Sequence, residues 1–349
     1  MQPIPHSRPW LTEGDSEAIR ETLRSGMIGQ GERVCAFERR FSEWVGGAGG
    51  VAVGSGAAAL HLALLGSGIG HGDAVILPSY VCQSVLDAVR ALNAEPVLAD
   101  VWEDWVITPG QVQPLLTART KAVIVPHMYG LFAPVAAFRS MGLTIIEDCA
   151  QAIGAYGQAP VAGDLAIFSF QPTKCLTTGE GGMVVGRDGG TVERLRTLRD
   201  EGRDGHARRM AFSPMSDLAA ALGLSQLHRY PESLERRRRV AARYVDALAP
   251  SLGSELRLPV LERGMFFRFP VCMPGGVDAY AARFTEQGIT VRKGVDRLLH
   301  REVGISDAGF PHSVRLFEQT VSLPIYPALS EEEIVRCVDT ARRVFESTP

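Results

Sequence analysis

Short apolar, β-branched runs alternate with amphipathic segments of helix length through the first half of the chain, and no other feature narrows the fold so far. Strand-like Val51–Val53, Ala74–Leu77, Pro96–Ala99, Lys121–Val125 and Thr144–Ile146 are separated by helix-like Ala57–Gly68, Val81–Leu92, Pro109–Leu116 and Ala133–Met141. Strands joined through helices need crossovers, which lay them parallel, and parallel sheets are buried on both faces. The fold class is therefore α/β, with a mainly parallel central sheet. From Asp164 the texture changes: LAIFSF and GGMVVG read as two further strands around a turn-rich loop, QPTKCLTTGE. A helical stretch then runs from about Ser216 to Leu248. A smaller mixed unit follows, with strand-like Phe266–Cys272, helical Asp278–Gln287 and strand-like Ile289–Arg292. The last helix opens on a capping box of Ser330 and Glu333 and carries an apolar face of Ile334, Val335, Val338, Ala341 and Phe345.

A chain of 349 residues exceeds the size at which one core stops growing. We therefore expect a large domain over 1–250 and a smaller C-terminal α+β domain over 251–349. A formal net charge of −3 argues against nucleic acid as a partner, so the run Arg236–Arg239 reads as the solvated face of a helix. The N-terminus, MQPIPHSRPWLTEGDSE, has no apolar core, and no window approaches the roughly 18 apolar residues of a membrane span. The expectation is a cytoplasmic protein with no membrane partner. Six cysteines without a C-x-x-C pair signal neither a disulfide framework nor a metal site, and most read as small buried hydrophobes.

Three segments carry chemistry. In GVAVGSGAAALHLAL, Gly54, Gly56 and Ala59 fit G-x-G-x-x-G/A, in which glycines let amides approach a phosphate at a helix N-terminus. A dinucleotide site also needs an acidic residue about 20 positions further on, and VILPSY occupies that region. In TIIEDCAQAIGA a strand ends on Glu147 and Asp148, where open α/β sheets bind ligands; a turn cap is the plain alternative for Asp148. The chain has 33 arginines but only three lysines, of which Lys121 and Lys293 hold ordinary solvent-facing positions. Lys174 follows a strand, among hydroxyls and glycines. On that segment alone, a surface-loop lysine and a nucleophile are equally good readings. A phosphate cradle, a strand-end carboxylate and a rare lysine together suit pyridoxal phosphate, which has a phosphate, a ring nitrogen that works best protonated, and an aldehyde that a lysine amine can condense with.

These segments resemble the DegT/StrS-type sugar aminotransferases, which adopt the fold-type-I arrangement of pyridoxal-phosphate-dependent transferases. The resemblance runs from SGMIGQGERVCAFE to SLPIYPALSEEE, and EDCAQ followed by FSFQPTK and TTGEGG is its most specific part. It implies that Lys174 holds the cofactor covalently, that Asp148 faces the pyridinium nitrogen and that Gln151 bonds the ring's phenolic oxygen. Ser169, the hydroxyl of Ser55 and the amides of Gly56 and Ala57 would form the phosphate cup. The glycine motif at Gly54–Ala59 thus answers to a monophosphate.

The resemblance further implies a ping-pong transamination from glutamate or glutamine, through pyridoxamine phosphate, to a keto sugar, commonly nucleotide-linked, or to a keto-cyclitol. Lys174 would serve as anchor, base and acid. Gln30, His127, Tyr129, Arg268 and Tyr326 are the substrate contacts it suggests. A hydrogen-bonded strand-end histidine is an equal reading of His127, and a structural ion pair an equal reading of Arg268. A homodimer is expected by analogy. The sequence also departs from the family pattern. Ala57 stands where a threonine is common, Cys82 where an aromatic ring often stacks on the cofactor, and Phe212 where an asparagine reaches the phosphate from the other subunit, with Pro214 in place of that asparagine's neighbouring arginine. A sugar dehydratase is disfavoured because such relatives replace the lysine by histidine. A non-catalytic ligand-binding relative is disfavoured by the intact set of Lys174, Asp148, Gln151 and Ser169.

Overall fold

The strands of the first half assemble into one sheet in the order β1-β7-β6-β5-β4-β2-β3. The computed structural model describes residues 2–154, 161–200, 213–252 and 264–347. In chain order the strands are β1 (Gly49–Val53), β2 (Ala74–Pro78), β3 (Glu95–Ala99), β4 (Thr120–Pro126), β5 (Thr144–Asp148), β6 (Leu165–Ser169) and β7 (Gly182–Gly186). β7 runs antiparallel to β1 and β6, and the remaining pairs are parallel. β2 and β6 are buried at every position, as expected of strands covered on both faces. Every strand except β7 therefore ends on the same edge.

Helices α1 (Glu13–Ser25), α2 (Glu32–Trp44), α3 (Gly56–Gly66), α4 (Gln83–Arg90), α5 (Pro109–Val112), α6 (Gly189–Asp200), α7 (Asp217–His228) and α8 (Tyr230–Leu252) accompany the sheet. One face packs Val51, Val53, Ile76, Ile124 and Ile146 against α3 and α4; the other packs Phe168, Phe170 and Met183 against Phe37, Phe41 and Leu234. A second, antiparallel sheet joins β8 (Phe269–Cys272) to β9 (Thr320–Leu323). Helices α9 (Gly276–Glu286), α10 (Leu299–Glu302), α11 (Pro311–Gln319) and α12 (Glu331–Glu346) belong to this C-terminal part. Its core also draws Ile4 from the N-terminus and Val240, Tyr244 and Leu248 from α8. Among the described residues, no helix is long and apolar enough to cross a membrane.

Four expectations change. The helix read across Ser216–Leu248 is two helices. Arg229 breaks it by donating to the Trp10 carbonyl at 2.8 Å and to Asp15, and Pro231 sits in the first turn of α8, where it forfeits no bond. Ile289–Arg292 is not a strand: Ile289 makes one bridge to Ile4 and Arg292 one to Ser322. The Ser330 capping box opens α12 as expected, but Val335 is exposed, and Cys337 and Val344 take the inner face. Arg237, read as solvated, is 3% exposed and donates to the carbonyls of Phe266, Phe267 and Ile325.

Candidate active site

A cavity of about 80 Å³ opens where β1, β2, β4, β5 and β6 end, lined among others by Gly56, Ala57, Cys82, Asp148, Gln151, Ser169 and Lys174. Its floor on one side is the start of α3. Ser55 caps that helix: its hydroxyl oxygen accepts from the Ala58 amide at 3.1 Å, and its carbonyl accepts from Ala59. That leaves the amides of Gly56 and Ala57 as the donors at this helix end, with the positive end of the helix dipole behind them. Both residues face the cavity. Glycine is required at two places here. A Cβ on Gly56 would lie 2.7 Å from Ser169 Cβ, and one on Gly182 would lie 2.2 Å from the Ser55 carbonyl oxygen. The start of α3 is thus pressed against β6 and β7, which brings its amides to the Ser169 hydroxyl.

The two carboxylates that end β5 point to opposite sides, as alternation along a strand requires. Glu147 accepts from His127 Nε2 at 2.9 Å and from the Gly163 amide. His127 Nδ1 in turn accepts from the Ala133 amide at 3.1 Å, which assigns the ring hydrogen to Nε2. His127 borders the cavity, but both its nitrogens are engaged in the fold. Asp148 lines the cavity; its Oδ1 accepts from the Ala150 amide at 2.9 Å, so the turn-cap reading also holds. Burial raises its carboxyl above the usual value, opposed by that amide, by Lys174 and by His127. Lys174 follows β6 in a turn closed on the Gln171 carbonyl at 2.9 Å, and its amine sits 5.3 Å from the centre of the Phe267 ring. Burial lowers the amine, with Asp148 opposing and Arg268 adding to the shift. Each group is therefore drawn toward its neutral form, which for a lysine is the nucleophilic one. Gln151 accepts from the Tyr129 amide at 2.7 Å through Oε1.

The remaining candidates are placed apart. Tyr129 is 1% exposed, with its hydroxyl bonded to Tyr80 at 2.8 Å. Arg268 donates to the carbonyls of Lys293 and Gly294 at 3.4 and 3.1 Å. Together with Tyr326, Arg8 and Arg237 it lines a second, smaller pocket that includes Thr173, the neighbour of Lys174. Gln30 is half-buried next to Gly31, which caps α2, and is not among the residues of either pocket. Cys82 is exposed at the N-cap of α4, where Ser84 Oγ lies 3.3 Å from its sulfur. Pro214 bridges to Val53 of the same chain, and Phe212 lies outside the described residues. Sequence reasoning overlooked Phe267, for which the aromatic pair in FFRFP was the only signal; Tyr80, which the sequence offers as a substitute for the ring missing at Cys82, is buried with its hydroxyl on Tyr129.

The residues at the cavity suit the group inferred from the sequence. Two helix-end amides and a serine hydroxyl suit a phosphate, a buried carboxylate suits a protonated ring nitrogen, and a lysine amine lines the same cavity. Together with a mainly parallel seven-stranded sheet and a small C-terminal sheet, they define a fold-type-I pyridoxal-phosphate-dependent transferase. Residues 9–342 match the DegT/DnrJ/EryC1/StrS aminotransferase family, and the chain belongs to it. The spore coat polysaccharide biosynthesis protein SpsC of Bacillus subtilis is 31% identical over 98% of this chain and 97% of its own. DesV of S. venezuelae, solved in complex with a ketimine intermediate, superposes with a TM-score of 0.89 at 31% identity, over 98% of this chain and 100% of its own. The pyridoxal-phosphate form of the putative sugar aminotransferase Spr1654 of Streptococcus pneumoniae superposes with a TM-score of 0.88 at 25% identity, over 99% of each chain.

Proposed function

We propose that this protein moves an amino group from glutamate or glutamine to a keto sugar, commonly a nucleotide-linked one, with pyridoxal phosphate as its cofactor. One observation carries the reading: Lys174, Asp148 and the amide end of α3 share a single cavity, although they come from three separate stretches of chain. The cofactor, when bound, supplies an electron sink for the carbon that loses its proton. The protein supplies the rest. Gly56, Ala57 and Ser169 would hold the phosphate. The Asp148 carboxylate would keep a proton on the ring nitrogen, and Gln151 would donate to the ring oxygen. The Lys174 amine would anchor the cofactor and, once freed, would accept the donor's α-proton on Nζ and give it back as the acid. Arg268 and Tyr326 would meet an acidic group of donor or acceptor in the smaller pocket that they line together with Thr173, the neighbour of Lys174.

The active unit is a homodimer in this reading. Leu23, Met27 and Ile28 are apolar side chains 56%, 69% and 48% exposed, and Met27 lines a wide groove between α1, α2 and α7. In this reading residues 1–250 carry the cofactor site and 251–349 the smaller domain, whose core also takes in Ile4 and the C-terminal half of α8.

The test is spectroscopic. Purified protein loaded with pyridoxal phosphate develops a visible absorbance band, which glutamate or glutamine converts to that of pyridoxamine phosphate; a Lys174→Ala variant does neither. A wild-type band that no amino acid discharges rules the aminotransferase reading out.

A further inference from the structure

Tyr129 stands in the left-handed region at φ 59° and ψ 10°, where residues other than glycine are uncommon. The neighbouring Gly130 is itself left-handed at φ 84°, so the turn already has a glycine and still places a tyrosine beside it. Such an outlier persists only where its surroundings fix it. Four contacts do so. The Tyr129 amide donates to Gln151 Oε1 at 2.7 Å. Its carbonyl accepts from the Phe267 amide at 3.1 Å. Its hydroxyl bonds Tyr80 Oη at 2.8 Å, and its ring meets Trp105 edge-on at 5.4 Å. Gly294 closes the cage, since a Cβ there would fall 1.6 Å from Tyr129 Oη.

The first contact bears on the cavity. A main-chain amide only donates, so the Gln151 atom it meets is the carbonyl oxygen, and the side-chain amide can take only one orientation. With Oε1 occupied, Nε2 is what Gln151 has left to offer the cavity it lines. The second contact reaches the same place from the other side, because Phe267 is the ring that lies against the Lys174 amine.

We propose that Tyr129 is a positioning residue of the cofactor site: its left-handed backbone holds Gln151 by Oε1, so that a hydrogen-bond donor and not an acceptor faces the cavity to serve an anionic ring oxygen. The proposal rests on the pyridoxal-phosphate reading above. It assigns Tyr129 no contact with substrate.

The test uses the full chain, stripped of cofactor and titrated with pyridoxal phosphate. Three quantities are read: the dissociation constant, the pH at which the visible band of the loaded protein titrates, and the thermal midpoint. Tyr129→Gly keeps the main-chain amide, relaxes the backbone and removes the cage. It is expected to weaken pyridoxal phosphate by about fivefold, the scale of coupling between contacting residues, and to move the pH midpoint of the band. In a Gln151→Ala background the same change is expected to do neither, because no side-chain amide remains to be oriented. Equal effects in both backgrounds overturn the proposal, since they make Tyr129 merely structural. So does a Tyr129→Gly protein whose dissociation constant and pH midpoint match wild type. If Tyr129→Gly does not fold, Tyr129→Phe replaces it, removing only the bond to Tyr80. A smaller change of the same sign that again vanishes with Gln151→Ala supports the proposal, and one that persists overturns it. A wild-type protein that shows no band with pyridoxal phosphate fails the cofactor reading itself, which is a different result from a band indifferent to Tyr129.

Discussion

Replacing Gly56 by alanine separates the two ends of the cofactor. The added methyl would lie 2.7 Å from Ser169 Cβ and 3.0 Å from Ser169 Oγ, roughly 1 Å inside the usual 3.5–4.0 Å contact. Neither side retreats easily. Ser169 is in β6, which is paired on both edges, and the start of α3 is backed by Gly182, across from Ser169 on β7. Overpacking of this kind costs about 1–3 kcal/mol, and the better helix propensity of alanine returns up to about 1 kcal/mol. The fold should therefore survive, destabilised by roughly 1–2 kcal/mol. The phosphate cradle suffers more, because the methyl occupies the space between the helix-end amides and the serine hydroxyl. Losing one hydrogen bond to a charged group is worth about 1.5–3 kcal/mol, or roughly tenfold to a hundredfold in affinity. The assay is a paired titration of the cofactor-free protein with pyridoxal phosphate and with pyridoxal, which lacks the phosphate. Gly56→Ala should weaken the first by at least about tenfold and leave the second within about twofold. Gly309→Ala, where a methyl meets nothing within 4 Å, is the control. If Gly56→Ala weakens both compounds equally, the helix end does not hold the phosphate.

Three further perturbations have signs that the structure sets. Arg237→Met removes a buried guanidinium that donates to three carbonyls, and should cost about 2–4 kcal/mol in urea unfolding; a cost under about 0.5 kcal/mol, typical of a surface site, contradicts the assignment. Asp148→Asn should abolish most turnover yet stabilise the cofactor-free protein. Burial raises the Asp148 carboxyl above 3.8, so the folded state binds that proton more tightly than the unfolded one. Its destabilising effect is therefore full above the folded value and gone below the unfolded value. The gain from asparagine should appear at neutral pH and fade toward pH 4, and a gain independent of pH speaks against this cause. Cys82→Phe places a ring at an exposed position on the cavity wall. At about 0.5–1.5 kcal/mol for an aromatic contact, cofactor affinity should rise by about threefold to tenfold; unchanged or weaker binding shows that Cys82 does not face the ring.

How much of this was legible in the chain depends on where each residue's partners lie. β2, β4 and β5 could be read because a strand buried on both faces is an apolar run in its own right. Asp148 and Lys174 stood out by type, a carboxylate at a strand end and one of three lysines, whereas Gln151 and Ser169 were named only through the family resemblance, since a glutamine and a serine are common in any turn. The break at Arg229 had one local signal, Pro231, which suits only the first turn of a helix; the apolar pattern hides it by continuing from α7 into α8, and the contacts of Arg229 with Trp10 and Asp15 come from the far end of the sequence. Ile289–Arg292 has strand composition but finds a single bridge at each end, with residues 4 and 322. Tyr129 is the plainest case: a left-handed tyrosine has no sequence signature, and its function in the fold is set by Gln151, Tyr80 and Phe267 together.

Arg237, by contrast, lay within reach of the sequence. A run of four arginines suggests one environment for all of them, that of a charged stretch facing water. A helix gives its residues separate surroundings at 100° per residue, and α8 buries Ser233, Arg237, Ala241, Tyr244 and Leu248, spaced by three and four. The stripe is visible in the sequence from its apolar end, and following it toward the N-terminus from Leu248 leads to Arg237. A guanidinium on a core stripe needs oxygen acceptors; strand ends and turns provide them as carbonyls whose geometry a sheet leaves unused. The three it finds, on Phe266, Phe267 and Ile325, fix the segment that presses Phe267 against Lys174. The arginine that composition assigned to solvent is thereby coupled to the ring beside the Lys174 amine.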